Sequence, residues 1–251
     1  MSIPPQCIRP EIFDGHRDLV VAHSTRHGGV SPSPLGMNLS FRVGDQEQNV
    51  RENRRRFLYA IDIAEEHLAI PGQVHSATVR SVQEAGHVSG CDALITNVPG
   101  IVLSVTVADC LPVLLADPTS LSVAAVHAGW RGTASGIATS AVKLLEREYG
   151  ARPSRIIAYL GPSARSCCYE VGREVAELFD NRVVRTVEGR HYLDIRGANE
   201  LQLLECGISP DNIESSPHCT ICRPDLYHSY RRDGPRSGRM MAVIGLQKLA
   251  P

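Results

Sequence analysis

Short apolar runs rich in Val, Ile and Leu alternate with segments whose apolar residues recur every three or four positions. The runs Leu19–Ala22, Ile101–Val107, Pro112–Ala116, Leu121–Val126, Ile156–Leu160 and Met241–Leu246 have the length and β-branched content of strands. Asp117-Pro-Thr-Ser120 is turn chemistry, so the strands on either side of it are predicted to form a hairpin. Helical periodicity is strongest from about Thr133 to Tyr149, where Ile137, Ala141, Leu144 and Leu145 share a face and Gly150 supplies the stop. A second helix follows Asn49 as N-cap, with Glu52 three residues on and Val50, Phe57, Leu58 and Ile61 as its apolar face. Val171–Phe179 and Ala198–Cys206 are predicted as two more, the latter ended by Gly207. Strands in close succession, with helices interspersed irregularly, point to an α+β fold with mixed sheets. No 20–50-residue repeat and no linker-like stretch interrupts the pattern, so residues 1–251 read as one domain.

Composition narrows the function. The 251 residues carry 26 Lys+Arg against 27 Asp+Glu, a net charge of −1, which lacks the basic footprint of a general nucleic-acid binder. No apolar run approaches the ~18 residues of a membrane span. Met1-Ser-Ile-Pro-Pro-Gln-Cys has no basic segment leading into an apolar one, so no secretory signal is read there. Eight cysteines are then expected as reduced thiols in a cytoplasmic protein. The glycine-loop motifs of nucleotide binding, the HExxH zinc helix and the GxSxG nucleophile elbow are all absent from the sequence.

Three strand ends carry chemistry: Gln73-Val-His75, Ala108-Asp-Cys110 and Val126-His127-Ala-Gly-Trp130-Arg131. Sixteen residues separate Cys110 from His127, which suits two paired strands and a turn. With His75 arriving from elsewhere, the set is a thiolate and two imidazoles. That donor set fits zinc, and three protein ligands leave a fourth position open, as in catalytic sites. Two plainer readings stand beside it: a cysteine packed as a small hydrophobe, and a metal-free dyad with Cys110 as nucleophile and His127 as base. His218-Cys219-Thr-Ile-Cys222 has no second CxxC to complete a zinc site, and it reads as a turn with ordinary thiols. Cys167 and Cys168 are adjacent, a poor arrangement for chelating one ion, and read as structural. Arg131, at a helix start, and Arg231 or Arg232, before the last strand, are candidates for holding an anion.

The motifs together resemble the laccase-domain, or multicopper polyphenol oxidoreductase-like, family. The resemblance runs through Met37-Asn-Leu-Ser40, Val43-Gly-Asp45, Gln73-Val-His75, Asp92-Ala-Leu-Ile-Thr96, Ala108-Asp-Cys-Leu-Pro-Val113 and Ala125-Val-His-Ala-Gly-Trp-Arg-Gly-Thr133. It continues through Gly161-Pro-Ser163, Cys168-Tyr-Glu-Val-Gly172, Cys219-Thr220, Ser229-Tyr-Arg-Arg-Asp-Gly234 and Gly238-Arg-Met240. It implies a zinc-dependent purine nucleoside phosphorylase with adenosine deaminase side activity. Adenosine, inosine and methylthioadenosine are the nucleosides in view. It also implies a four-layer α/β/β/α fold similar to that of a bacterial toxin deamidase. The resemblance places the metal ligands on His75, Cys110 and His127. Asp109, beside Cys110, is the nearest carboxylate for proton transfer, and Arg131 and Arg232 are the expected phosphate contacts. The expected partners are a purine nucleoside and phosphate, with no nucleic acid and no membrane, and the oligomeric state is left open. A copper-dependent polyphenol oxidase and a hydrolase editing cell-wall precursors are the alternatives.

Overall fold

The computed structural model describes residues 4–247. The first three residues of the N-terminal segment, and residues 248–251, lie outside it. Two six-stranded mixed sheets and one three-stranded sheet form the frame. The first sheet runs Cys7–Ile8, Leu19–Ser24, Met240–Leu246, Val102–Val107, Leu68–Pro71, Gly86–Val88. The second runs Ile213–Ser215, Ile157–Leu160, Leu111–Asp117, Ser122–Ala128, Ala93–Thr96, Val79–Ser81. The α+β expectation is borne out.

The long apolar runs are explained by burial on both faces. In the second sheet, Leu114, Ala116, Val123 and Ala125 pack against Leu103, Val105, Ala242 and Ile244 of the first. Their alternates Val113, Leu115, Ala124 and Val126 pack instead on Ile137, Ala141, Val142 and Leu145 of the helix Ile137–Tyr149. Ile195 and Leu203 of the helix Ile195–Glu205 join this second cluster. On the far side of the first sheet, Phe57 and Leu58 of the helix Glu47–Tyr59 cover Val20, Ala22, Met241 and Val243. Side chains alternate along a strand, so a strand between two packed layers must be apolar at every position.

The predicted hairpin forms, with Leu111 opposite Ala128 and Asp117 opposite Ser122. The strand before it, Val102–Val107, pairs with Met240–Leu246 and Leu68–Pro71 in the other sheet. The chain therefore crosses between sheets at Ala108-Asp109-Cys110.

Several boundaries differ from the periodicity. The Thr133–Tyr149 helix is broken. Trp130–Ala134 forms a short helix, Gly136 turns left-handed at φ +73, and Ile137–Tyr149 follows. The first long helix starts at Glu47, ahead of the expected N-cap Asn49; Gln46 is its N-cap, without a side-chain cap bond, and the Asp45 carboxylate accepts from Gln46 N–H just outside it. Asp194 caps the later helix through Gly197 N–H, which sets its start before Ala198. Val171–Phe179 is mostly not helical: Glu170–Val171 pairs with Arg190–Leu193, and only Arg173–Ala176 is α-helix. No described helix is long and apolar enough to cross a membrane.

Asp117, at the hairpin end, is fully buried and anchors the connection that follows the long helix. Its carboxylate accepts from the N–H groups of Thr119, Ser120 and Arg152 and from the Arg155 guanidinium. Burial raises its pKa, but these bonds outweigh burial and hold it below the ordinary carboxylate range. The folded value is the lower one, so the stabilisation is present above the unfolded value. It is lost as pH falls through the folded one. Asp117→Asn is expected to cost roughly 2–3 kcal/mol at neutral pH. The deficit should shrink below about pH 4. Urea unfolding of both proteins at neutral and acid pH measures this, and a pH-independent deficit would contradict it.

Candidate functional site

Cys110 and His127 meet because the hairpin register places Pro112 opposite His127, with Cys110 two residues earlier at the crossover. His75 comes from the loop after Leu68–Pro71. One ligand atom from each of His75, Cys110 and His127 lies within 4.8 Å of the others. The two imidazole rings stand edge to face, with centroids 5.0 Å apart. The set chosen from spacing is therefore one cluster.

The loop carrying His75 is held by two residues. Gln73 reaches to the end of the Val102–Val107 strand, donating to Thr106 O at 2.7 Å and accepting from Thr106 N and Oγ1. Asp92, fully buried, accepts from the N–H groups of Val74, His75 and Ser76, and from Ser76 Oγ. It also accepts from His127 Nδ1 at 2.9 Å. That bond commits Nδ1 and leaves Nε2 free to face Cys110 and His75, an arrangement that also suits a histidine backed by a carboxylate at a metal site. Gln73, His75 and Asp109 all sit at positive φ without being glycine. Such strained backbone persists only where its surroundings fix it, and it concentrates at functional sites.

Electrostatics follow from the packing. Burial alone would raise the Cys110 thiol, but the charge and hydrogen bond of His127, then those of His75, bring it down to about 6. Burial likewise opposes a charged His127, yet Cys110 and the Asp92 hydrogen bond push it up to about 9. Asp92 is held at about 2, the burial penalty outweighed by its bonds from His127 and Ser76. The cluster thus favours thiolate, the form that binds metal.

The donor set fits a metal ion: one soft thiolate and two imidazoles, with room left beside them. Gly129 preserves that room. A Cβ there would lie 3.1 Å from His75 Cδ2 and 3.2 Å from Cys110 Sγ. The three side chains line one end of a cavity of about 780 Å³, whose other walls include Phe41, Arg42, His87, Tyr230 and Arg239. Arg239 lies 5.4 Å from the Tyr230 ring, and its guanidinium donates to the carbonyls of Ser237 and Gly238. A smaller cleft of about 470 Å³, beside Tyr59 and His67, lies at the opposite end of the Val102–Val107 strand and holds no such cluster.

Other expected residues are placed elsewhere. The Asp109 carboxylate is occupied by Thr220 Oγ1, Ser229 Oγ and Arg231 N–H, so it ties the crossover to neighbouring loops. Arg131 is exposed and stacks on Trp130 at 4.3 Å. Arg232 spends its guanidinium on the carbonyls of Thr220, Ile221 and Tyr227 and on Asp233. None of the three lines the cavity. Cys219 and Cys222, read from the sequence as ordinary thiols of a turn, and Cys167 and Cys168, read as a structural pair, are not expected together, yet their sulfurs all lie within 4.8 Å of one another. A tight turn closed onto Arg165 O by the N–H groups of Cys168 and Tyr169 carries the adjacent pair, so the two thiols converge where extended backbone would separate them.

The family profile described as "Multi-copper polyphenol oxidoreductase laccase" matches residues 20–247. The chain belongs to this family. Among its relatives in the family is a protein named purine nucleoside phosphorylase from Deinococcus radiodurans, 42% identical over 238 residues, covering 92% of this chain and 91% of that one. The protein named adenosine deaminase RL5, from an unknown prokaryotic organism, is 37% identical and covers 90% of this chain and 93% of its own. The solved structure of YlmD from Geobacillus stearothermophilus superposes with a TM-score of 0.90 at 33% identity, covering 99% of this chain and 100% of that one. The family's laccase label sits beside a site built around a single Cys/His/His group.

Asp92 and Gly129 were not singled out from the sequence as site residues. The available signals were a carboxylate opening the apolar run Asp92-Ala-Leu-Ile-Thr96 and a glycine two residues after His127. Asp92→Ala removes the shared acceptor of five donors. It is expected to destabilise the fold by roughly 3 kcal/mol or more, and to speed hydrogen exchange at residues 74–76 ahead of global unfolding. Exchange in that loop unchanged from wild type would show that Asp92 does not fix it.

Proposed function

We propose that this chain is an enzyme that cleaves purine nucleosides with phosphate and deaminates adenosine as a side reaction, with one zinc ion held by His75, Cys110 and His127. The observation that carries the reading is the three-donor cluster opening into a cavity that offers both aromatic faces and guanidinium groups. The names of the relatives support the substrate class. A thiolate with two imidazoles favours zinc over the several copper centres and many histidines a laccase requires.

In this reading Phe41 and Tyr230 offer faces for the purine, and Arg42 and Arg239 hold the phosphate. Arg131 and Arg232 are not used for this role, because neither lines the cavity. Phosphorolysis requires phosphate to attack the anomeric carbon while the departing base gains a proton. His87, the remaining histidine on the wall, is the group placed to move that proton. In deamination water attacks the purine C6 instead, forming a C6–O bond as the C6–N bond breaks and the amino group, gaining a proton, leaves as ammonia. When bound, zinc supplies a Lewis acid beside these groups. Asp92 keeps His127 in one tautomer, and Gly129 keeps space beside the ligand atoms.

A metal-free reading has one observation in its favour. Asp92, His127 and Cys110 are ordered as carboxylate, base and thiol, as in cysteine hydrolases. His75 has no role in that scheme. Elemental analysis decides between them: Cys110→Ala is expected to lose one equivalent of zinc and the activity. Full activity of the wild-type protein after exhaustive chelation would favour the thiol reading.

The anion assignment is tested by the two reactions together. A charge-assisted contact is worth about 1.5–3 kcal/mol. Arg239→Ala should therefore slow formation of adenine and ribose 1-phosphate from adenosine plus phosphate by roughly ten- to a hundredfold, and slow inosine formation less. Arg131→Ala should leave both unchanged. Loss in Arg131→Ala with none in Arg239→Ala would reverse the assignment.

A further inference from the structure

Away from the His75–Cys110–His127 group, four cysteines from two loops form a second cluster. Cys167 and Cys168 sit in the turn after the strand Ile157–Leu160, and Cys219 and Cys222 in the segment that runs beside it. Ser163 bridges to Cys219 in parallel, and Thr220 N–H donates to Ser163 O. Cys168 Sγ lies 3.0 Å and Cys167 Sγ 3.5 Å from Cys222 Sγ, and all four sulfurs fall within 4.8 Å of one another.

We propose that Cys167, Cys168, Cys219 and Cys222 form a tetrathiolate site for a structural zinc ion, which staples the two loops beside the Asp109 crossover.

The dimensions carry the inference. Four sulfurs about 2.3 Å from one zinc stand at the corners of a tetrahedron with edges of about 3.8 Å. The two shortest separations, 3.0 and 3.5 Å, fall within about 1 Å of that edge and none exceeds 4.8 Å, so small shifts of flexible side chains complete the geometry. The group is too compact to enclose a polynuclear iron–sulfur cluster. A disulfide would use two of the sulfurs and leave two others crowded against it.

The electrostatics agree. Burial and the neighbouring thiols raise Cys167, and the neighbouring thiols and burial raise Cys222, each to about 11. Cys168 is also raised, by burial first. Crowded thiols cannot ionise together without a cation among them. Cys219 differs: burial would raise it, but the backbone N–H groups of Cys222, Arg165 and Ile221, with the Cys167 thiol, bring it below its usual value. A first thiolate steadied by backbone N–H groups of its own CxxC turn is a natural starting ligand. Four thiolates around zinc leave two negative charges, and guanidinium groups stand close by. Arg165 donates to Pro217 O, Arg185 to Ser166 O, and Arg232 to Thr220 O and Ile221 O.

The position gives such an ion a purpose. Thr220, between two of the cysteines, donates its hydroxyl to Asp109, the residue before Cys110. Ala164, in the other loop, donates its N–H to Asp109 O. Joining the loops holds the crossover from both sides.

The test uses Cys110→Ala, in which the first site lacks its thiolate and the four-cysteine group is intact. Purified with zinc and a thiol reductant, this variant is expected to retain one equivalent of zinc. Exchanged with cobalt(II), it should give the intense thiolate-to-metal charge-transfer absorption of four sulfur ligands. Cys110→Ala/Cys222→Ser should lose both the equivalent and most of the absorption. In wild type, Cys222→Ser should remove one equivalent while the His75–Cys110–His127 site stays loaded, so failure here is distinguishable from failure of the catalytic zinc. Folded Cys110→Ala that takes up neither zinc nor cobalt would overturn the proposal. So would a Cys168–Cys222 disulfide, without metal, in protein whose thiols were trapped at lysis.

Discussion

A buried carboxylate accepting five hydrogen bonds organises the site. Asp92 opens the strand Ala93–Thr96 of the second sheet, yet its oxygens hold the loop that leaves the first. Through the same oxygens it grips His127 at the end of the neighbouring strand. One side chain thus fixes the approach of two sheets, the course of a strained loop and the tautomer of a histidine. An ionised carboxylate is expensive to bury unless its lone pairs are met. Here they are met by the groups whose positions matter, so its desolvation is offset by bonds that also build the site.

The crossover at Ala108-Asp109-Cys110 is the second constraint. A chain leaving one sheet and joining another must turn out of both ladders. Asp109 does so in left-handed backbone at φ +84, with its carboxylate bound to three donors from distant loops. The carboxylate next to Cys110 therefore works as a tether. Alternation along extended backbone already implied that Asp109 and Cys110 face different ways, and the hydrogen bonds show what Asp109 faces.

Much of the frame was legible in the chain. Runs buried on both faces, such as Leu111–Ala116 and Met240–Leu246, are apolar throughout and stand out. Short strands such as Leu68–Pro71 and Val79–Ser81 do not, because their pairing is decided by neighbours far along the chain. The segment Val171–Phe179 looked helical because its apolar spacing is right, but pairing of Glu170–Val171 with Arg190–Leu193 claims its start. The three-residue cluster was legible because hairpin register converts sequence distance directly into proximity. The arginines were not, since a long side chain goes where unsatisfied carbonyls or aromatic faces draw it. Arg232 went to loop carbonyls and Arg131 to Trp130, while Arg239, bonded to the carbonyls of Ser237 and Gly238, still lines the cavity.

The two thiol groups show how backbone conformation decides what a cysteine can do. Cys110 has two imidazoles for neighbours, which lower its pKa and leave an approach to the cavity open beside Gly129. The four cysteines of the second group have chiefly one another: burial and neighbouring thiols raise Cys167 and Cys222 to about 11, while Cys219, despite burial, is lowered by backbone N–H groups. As neighbours in sequence, Cys167 and Cys168 read as a poor chelating pair, and in extended backbone they would point apart. Wound into a turn onto Arg165 O, the same dipeptide presents both sulfurs to Cys222. A mixed set with room beside it suits chemistry on a bound molecule. A set of four thiols facing inward suits holding two loops together, and those loops press on Asp109 from either side of the crossover. The loops that reach Asp109 are thus tied together by residues that touch neither the cavity nor the His75–Cys110–His127 group.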